Sequence, residues 1–328
     1  MKRVSIFLIA VAVIAGMAGC AHTPPSQNLE IQTWYDLDAV RDNLYGHHIL
    51  INDLDSTTSG YEELASPMAN GGKGWQPIGY GYWSGGQVLG DVFRGSFDGQ
   101  GHKIRDLYIN DPDGCEAGLF GFVGEGGIIK NITVVNVTVT GCERVVGLVE
   151  LSEGIVRSFA GIGLLWVAGG LVGYNGGTVS NSYSSGSVTG DGEVGGLIGH
   201  NSGTVSNSYS SANVTSHDYV GGLAGDNSGT VSNSYSSGSV TAGNSTGGLA
   251  GFNEGVVSNC FWDMRTSGQT TSAGGMGKNT TEMQNITTFS SAGWNIIAVP
   301  NPGMRNPSYI WNIVDGQTYP FLSWQPVS

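Results

Sequence analysis

The most regular feature of the chain is a pattern of hydrophobic and polar positions that recurs every 26 residues between residues 170 and 262. The segment Gly-Leu-Val-Gly at residues 170–173 returns in closely similar form at 196–199, 222–225 and 248–251. Within one repeat, residues 179–184 alternate between Val, Asn or Tyr and Ser, and alternation with a period of two is typical of a β-strand. No helical period runs through the repeat, so the pattern predicts short strands joined by Gly and Asn turns.

Three short extended segments in each repeat fit one coil of a solenoid. We therefore predict an all-β fold, a single-stranded parallel β-helix of about 26-residue coils. Val, Asn and Tyr are expected to point inward and the Ser positions outward. Cys260 stands in one of these outward Ser columns. Equivalent residues should then stack at the strand spacing of about 4.8 Å as ladders formed by Leu171, Leu197, Leu223 and Leu249, by Asn181, Asn207, Asn233 and Asn259, and by Tyr183, Tyr209, Tyr235 and Phe261.

The ends of such a solenoid expose strand edges, so both ends need covers. At the N-terminal end, Thr33 and Asp36 have the spacing of a helix N-cap and its acidic N3 residue, which predicts a short capping helix before a first strand at residues 48–52. At the other end, residues 263–328 lose the repeat. Their aromatic residues, Trp311 and Trp324 among them, are expected to form an irregular C-terminal cap that seals the last coil.

The repeat resembles the GLUG motif, which occurs in bacterial surface proteins and beside the protease domain of some IgA-cleaving zinc metallopeptidases. The resemblance rests on the Gly-Gly-Leu segment, on Thr-Val-Ser-Asn-Ser-Tyr-Ser at residues 178–184 and on Gly-Ser-Val-Thr at 186–189. Residues 93–102 are similar to the opening coil of pectin-lyase-like β-helices. The resemblance implies the fold and says little about activity, because one fold hosts many functions.

The N-terminal sequence has the pattern of an export signal. Lys2 and Arg3 precede an apolar run at residues 4–16, which is too short to span a bilayer as a helix. The run is followed by Met-Ala-Gly-Cys at residues 17–20, which resembles a bacterial lipobox. The resemblance implies a lipid on Cys20 and a lipid-anchored protein of the outer membrane or cell surface. An ordinary secretory signal with an incidental Cys20 is the alternative.

These patterns divide the chain into five parts. They are a lipoprotein signal peptide at 1–19, a linker at 20–28, an N-terminal cap with the first coils at 29–110, GLUG-type repeats at 111–262 and a C-terminal cap at 263–328.

The composition limits the classes of molecule that the chain is expected to bind. The chain has 26 acidic and 13 basic residues and a net charge of −13, which disfavours nucleic acid. The 55 glycines show no collagen period. No dinucleotide fingerprint, P-loop or His-Glu-x-x-His motif occurs, so we expect no cofactor and no metal. The expected partners are the membrane, through the N-terminal lipid, and a polysaccharide or a surface protein.

Whether the chain is an enzyme stays open, with a non-enzymatic role preferred. Residues 170–258 contain no Lys or Arg, so a polysaccharide lyase or glycoside hydrolase would need a site near residues 90–160. The candidates there are Asp91, Arg94, Asp98, His102, Arg105 and Asp106. No catalytic residue is assigned among them.

Aromatic residues in a Gly-rich stretch offer a candidate binding site. Tyr80, Tyr82 and Trp83 could stack on sugar rings, although packing is the alternative for each. The leading interpretation is therefore a non-enzymatic adhesion or glycan-binding stalk. The polysaccharide-cleaving enzyme and a purely structural envelope protein are the two alternatives.

Three cysteines remain beside Cys20. Cys115 and Cys142 lie three and five residues before equivalent glycines, Gly118 and Gly147. On adjacent coils this spacing allows their Cα atoms to approach within disulfide range. We predict a Cys115–Cys142 disulfide and an unpaired Cys260.

Overall fold

The computed structural model describes residues 29–325 except 80–81, 85–86, 112–118, 121–122, 142–166, 170–171, 191 and 243. The described part is mostly β-structure in parallel sheets with a few short helices, as predicted. The export signal, the linker, Leu171, Tyr80 and the Cys115–Cys142 pair lie outside the described residues.

The N-terminal part begins with a strand and a short helix and continues into the first coils. Its helices are α1 (Trp34–Asp38) and α2 (Tyr61–Leu64), with 3₁₀ turns at Ala39–Asn43 and Ala69–Gly72. Its strands are β1 (Leu29–Ile31), β2 (His47–Leu50), β3 (Tyr82–Ser84), β4 (Gln87–Leu89), β5 (Ser96–Asp98), β6 (Lys103–Arg105), β7 (Tyr108–Asp111), β8 (Ile128–Lys130) and β9 (Thr133–Gly141).

The repeats supply short strands of two to seven residues. They are β10 (Val167–Gly169), β11 (Val172–Asn175), β12 (Thr178–Ser180), β13 (Tyr183–Thr189), β14 (Glu193–Gly195), β15 (Ile198–Asn201), β16 (Thr204–Ser206), β17 (Tyr209–Ser210), β18 (Asn213–Ser216), β19 (Val220–Gly221), β20 (Ala224–Asn227), β21 (Thr230–Ser232), β22 (Tyr235–Ser236), β23 (Val240–Ala242), β24 (Thr246–Gly247), β25 (Ala250–Asn253), β26 (Val256–Ser258) and β27 (Phe261–Asp263).

The C-terminal segment, defined here as residues 264–325, alternates short helices and strands. Its elements are α3 (Met264–Ser267), β28 (Met276–Lys278), α4 (Thr280–Met283), α5 (Ile286–Ser290), β29 (Ile296–Ala298), β30 (Trp311–Ile313) and β31 (Phe321–Leu322).

Parallel pairing stacks equivalent residues of successive repeats. Val179 pairs with Val205, which pairs with Val231 and then with Val257, a constant step of 26 residues. The longest sheet has the strand order β1-β2-β5-β8-β12-β16-β21-β26 and so runs from the N-terminal strand to the last repeat. One continuous sheet therefore joins the irregular N-terminal coils to the regular ones.

The main hydrophobic core fills the interior of these coils. Its ladder positions Leu197, Leu223 and Leu249 are all buried. A second, smaller core of Val and Ala residues lies between β13, β18 and β23 on one side and β14 and β19 on the other. Each repeat thus encloses the main core and adds a side lobe.

The predicted outward orientation of the Ser182 and Ser184 columns and the predicted inward orientation of the Tyr column were wrong. Asn181 has a φ of 48°, and the equivalent Asn207, Asn233 and Asn259 have values of 47° to 52°. A residue in the left-handed conformation turns the chain, so the inward–outward alternation of side chains starts anew after it. Asn tolerates that conformation better than most residues. Ser182 and Ser184 therefore point inward and are buried.

The Asn column itself lies at this corner rather than on the inward face of a strand. Its side chains are half-buried in Asn181, Asn207 and Asn233 and exposed in Asn259, and Asn259 Nδ2 lies 3.4 Å from Asn233 Oδ1. A different Asn column, which the sequence analysis missed, is the buried one: Asn175, Asn201 and Asn227. Its amides bond from coil to coil at 2.6–2.8 Å, down to Asn253.

The aromatic ladder points away from the main core and is covered by the C-terminal segment. Tyr209 and Tyr235 stack with ring centroids 4.8 Å apart, and both contact Trp311. They belong to a separate core with Phe289 and Trp294. The C-terminal aromatic residues therefore cover the side of the β-helix, and the expectation that they seal its last coil was wrong.

The last coil is instead followed by residues 268–278. Ser272 Oγ accepts hydrogen bonds from the N–H groups of Leu249 and Ala250, and Gly248 N donates to Thr271 O. At the opposite end, Thr33 is the N-cap of α1 and shares a capping box with Asp36. Trp34, Leu37 and Val40 of this region are fully buried. The strand at His47–Leu50 is preceded by β1, so the first strand begins earlier than predicted.

Candidate functional site

A histidine and two carboxylates meet where the side lobe joins the main coils. Glu193 begins β14, His200 lies in β15, and Asp226 lies at the equivalent position one coil later, in β20. We call Glu193, His200 and Asp226 the His200 cluster. One potential ligand atom from each residue lies within 4.8 Å of the others. Within the described ranges, this is the one group of three or more His, Cys, Asp or Glu residues so arranged.

Two members of the cluster, His200 and Asp226, are buried and Glu193 is half-buried, and the cluster is unbalanced in charge. His200 Nδ1 lies 2.9 Å from Glu193 Oε2 and 3.9 Å from Asp226 Oδ1. Burial by itself lowers the pKa of His200, but the hydrogen bond and charge of Glu193, together with Asp226, raise it above the ordinary value. Burial, reinforced by repulsion from Glu193, raises the pKa of Asp226 to about 6 although His200 opposes this.

Two serines hold the outer sides of the cluster. His200 Nε2 lies 3.0 Å from Ser202 Oγ, and Ser228 Oγ lies 3.3 Å from Asp226 Oδ1. Ser202 and Ser228 are equivalent residues in the turns after β15 and β20. The repeat therefore supplies both supporting hydroxyl groups.

The cluster residues occupy positions that vary between repeats. In the column of paired residues, His200 and Asp226 stand between Tyr174 and Phe252. The neighbouring leucines, valines and asparagines are the same in every repeat. Coil stacking therefore does not explain why this one column changes from Tyr to His, Asp and Phe. That difference within the repeat is the one signal of the cluster in the sequence, where no metal site was expected.

A second concave feature lies where the C-terminal segment meets the β-helix. We call it the C-terminal cleft; its volume is about 310 Å³, near the lower end of ligand pockets. It is lined by Asn181, Asn295, Pro307, Ser308, Tyr309, Ile310, Ser323 and Trp324. The lining has two aromatic side chains, two amides and three hydroxyl groups, and no charged side chain.

Two polar atoms at the cleft have unmet hydrogen-bonding capacity. The indole Nε1 of Trp324 and the Oδ1 of Asn181 are buried without a hydrogen-bond partner in the part of the chain described. The Trp324 ring lies 6.3 Å from that of Tyr183, so the cleft adjoins the aromatic ladder. A buried donor or acceptor without a partner costs about 1–3 kcal/mol.

The sequence-predicted sugar site falls on a hairpin away from this cleft's lining. The backbones of Tyr82 and Trp83 lie in β3, which pairs antiparallel with β4. Tyr80 is outside the described residues. The prediction that these three aromatics bind a ligand stays a prediction.

Three of the six charged residues proposed for a cleaving enzyme each have a separate partner. Asp98 binds Lys130 at 3.1 Å and Asn131 at 2.9 Å, and His102 binds Asp53 at 3.0 Å. Asp106 accepts a hydrogen bond from Asn136 at 2.7 Å. These contacts join neighbouring coils, which gives the three residues a role in the fold.

Cys260 is a free, buried thiol, and the predicted outward orientation of its column was wrong. Its Sγ lies 3.2 Å from Ser258 O. Ser182, Ser208 and Ser234 make the same contact with the carbonyl two residues earlier, at 2.7–2.8 Å. Burial raises the pKa of Cys260 to about 12.

With this geometry, the chain is a parallel β-helix with a C-terminal segment folded along one side. The GLUG motif matches residues 166–189 and 190–215. A crystal structure of a candidate immunoglobulin A1 protease from Bacteroides ovatus has a TM-score of 0.56 to this chain, with 17% identity over 92% of this chain and 94% of that one. At this identity the likeness shows the fold alone.

Two relatives match part of the chain. A protein of Evansella cellulosilytica, named a candidate Gly-rich membrane protein, is 34% identical over 140 residues, covering 42% of this chain and 14% of its own length. Halomucin of Haloquadratum walsbyi is 31% identical over 137 residues, covering 41% of this chain and 1% of its own length. The chain thus spans a small fraction of both relatives.

None of the helices in the described residues is long and apolar enough to cross a membrane.

Proposed function

We propose that this chain is an exported, lipid-anchored β-helix protein of the cell surface that binds neutral saccharides without cleaving them. The observation that carries the binding role is the uncharged, aromatic and amide lining of the C-terminal cleft. Aromatic faces stack on sugar rings, while amides and hydroxyls bind their hydroxyl groups. Coils of 26 residues, closed by α1 at one end, would form a rigid stalk that carries this cleft on its side.

Location at the envelope is supported by sequence and by relatives. Residues 1–20 have the pattern of a lipoprotein signal ending in Cys20. One relative is named a membrane protein and the other halomucin. Replacement of Cys20 by Ser should leave the precursor unprocessed by lipoprotein peptidase and remove the mature protein from the detergent phase. Unchanged partition into membranes would contradict the anchor.

The binding role is tested with a glycan array on the full-length protein, followed by titration of the strongest neutral oligosaccharide. Tyr309→Ala should weaken that binding at least tenfold, because the ring lines the cleft. Tyr45→Ala is the matched control, since Tyr45 is 62% exposed and does not line the cleft. Absence of any neutral saccharide binding would overturn the proposal.

The two candidate sites are separable in the same experiment. If Tyr82→Ala and Trp83→Ala abolish binding while Tyr309→Ala has no effect, the ligand binds at the β3–β4 hairpin and the cleft assignment is wrong. Loss of saccharide binding in Tyr309→Ala alone supports the assignment of the binding site to the C-terminal cleft. Product analysis by reducing-end assay should show no cleavage of the bound saccharide.

A further inference from the structure

The His200 cluster places one imidazole nitrogen and two carboxylate oxygens around a common point on the β-helix. With both carboxylates ionised, the cluster carries a net negative charge even when His200 is protonated. Buried charge that is not compensated is costly. A divalent cation beside a neutral His200 would balance the two carboxylates completely.

The separations between the ligand atoms suit a small transition-metal ion. Two atoms that bind one ion at about 2.1 Å are at most about 4.2 Å apart. The distances from His200 Nδ1, 2.9 Å to Glu193 and 3.9 Å to Asp226, fall within this limit. All three atoms lie within 4.8 Å, so side-chain shifts of about 1 Å or less would close the set.

The orientation of His200 also fits a ligand. Metal-bound histidines usually donate their other ring N–H to a nearby acceptor. Nε2 of His200 lies 3.0 Å from Ser202 Oγ, which can accept that hydrogen bond and leave the Nδ1 lone pair directed at the carboxylates. Ser228 supports Asp226 in the same way, through a contact of 3.3 Å.

The chemistry of the set selects the ion. Calcium and magnesium favour all-oxygen sites, and thiolates would favour softer ions. One imidazole and two carboxylates match three protein ligands of zinc, with a fourth position for water. We propose that Glu193, His200 and Asp226 form a zinc site that joins two adjacent coils to the side lobe.

The site would add bonds to one metal ion among three strands that already meet through packing, backbone hydrogen bonds and side-chain contacts such as Glu193–His200. Glu193 belongs to β14, whereas His200 and Asp226 belong to β15 and β20 of successive coils. Val194, next to Glu193, donates its backbone N–H to the carbonyl oxygen of Tyr219. The ring of Tyr219 in turn packs edge-to-face on Phe252. Zinc would therefore stabilise the stack of coils rather than supply catalysis.

The test uses full-length protein freed of metal with a chelator and titrated with Zn²⁺ alone at pH 7.5. We expect one equivalent to bind and the melting temperature to rise. His200→Gln and Asp226→Asn should each weaken binding at least tenfold. Glu254→Gln and His217→Gln are matched controls outside the cluster and should bind as the wild type does. X-ray absorption should show one nitrogen and two carboxylate oxygens.

Asp226→Asn separates a metal site from a purely structural ion pair. Because Asn removes a buried charge and keeps the shape, the metal-free variant should melt at or above the temperature of the metal-free wild type and gain nothing from Zn²⁺. Equal stabilisation of the variant and the wild type by Zn²⁺ would overturn the proposal. So would the absence of binding to the wild type, or a metal-free Asp226→Asn that is strongly destabilised.

Discussion

Gln325 Nε2 donates a buried hydrogen bond of 2.7 Å to the phenol oxygen of Tyr209, across 116 residues of sequence. The contact fixes the end of the described chain to the middle of the aromatic ladder. Tyr235 makes a comparable bond of 2.6 Å to the carbonyl oxygen of Pro320. The C-terminal segment is thereby attached to successive coils along the side of the β-helix.

Loss of the Gln325 contact should destabilise this attachment. Gln325 also accepts a hydrogen bond from Leu322 N through Oε1, so Gln325→Ala removes two bonds and Tyr209→Phe removes one. We expect the free energy of unfolding to fall by about 1–3 kcal/mol in either variant, with the larger fall in Gln325→Ala. Urea melts of both variants and the double mutant measure this. A double mutant whose loss equals the sum of the single losses would contradict direct coupling.

Stability at high pH should depend on Tyr319. Its hydroxyl donates to Asp263 Oδ2 at 2.6 Å, and burial together with this carboxylate raises the pKa of Tyr319 from 10.0 to about 12. A raised pKa contributes stability that is fully present below pH 10 and is lost as the pH rises towards 12.

The stability difference between wild type and Tyr319→Phe should therefore be largest at pH 8 and shrink between pH 10 and 12. Urea midpoints across that range provide the measurement, and the difference between the two proteins removes the effect of the other buried tyrosines. A difference that stays constant with pH would show that the Asp263 contact does not control the titration of Tyr319.

The two Asn columns should respond in opposite ways to substitution. Asn201 is buried and bonds to Asn175 and Asn227, so Asn201→Gly or Asn201→Ala should cost about 2–3 kcal/mol by leaving amides without partners. Asn207 has a φ of 48°. Asn207→Gly should be nearly neutral, whereas Asn207→Ala should cost about 1 kcal/mol because Ala resists that conformation. Thermal melts with the same four variants decide this, and tolerance of Asn201→Gly would refute the buried ladder.

Cys260 should be unreactive while the chain is folded. Its burial and its pKa of about 12 leave almost no thiolate at pH 8. Peptide mapping after alkylation should recover Cys260 unlabelled from native protein and labelled after urea. Rapid native labelling would show that the site opens.

The same position should accept serine. Ser182, Ser208 and Ser234 occupy equivalent positions with the same carbonyl contact, so we expect Cys260→Ser to change the free energy of unfolding by less than about 1 kcal/mol. Cys260→Leu should cost about 1–3 kcal/mol by overpacking the interior. Equal losses in the two variants, in urea melts, would contradict the assignment of Cys260 to this column.

The parts of the fold that repeat or are local could be predicted from the order of residues. Parallel β-structure followed from residues that recur at a fixed step, since only stacked coils bring Val179 and Val205 together for every repeat. The capping box of Thr33 and Asp36 was readable because both partners lie within one turn of chain. Both features depend only on the spacing of residues along the chain, which is why they could be predicted.

Which columns face the core depends on backbone turns and on packing between elements. One left-handed residue, Asn181, reversed the alternation after it, and strand periodicity cannot show such a turn. The aromatic ladder then became an outer surface that the C-terminal segment covers, which created the C-terminal cleft. The His200 cluster likewise depends on how β14 lies against two successive coils. These contacts join residues that share no local pattern, so their positions are set by packing between elements rather than by the order of residues.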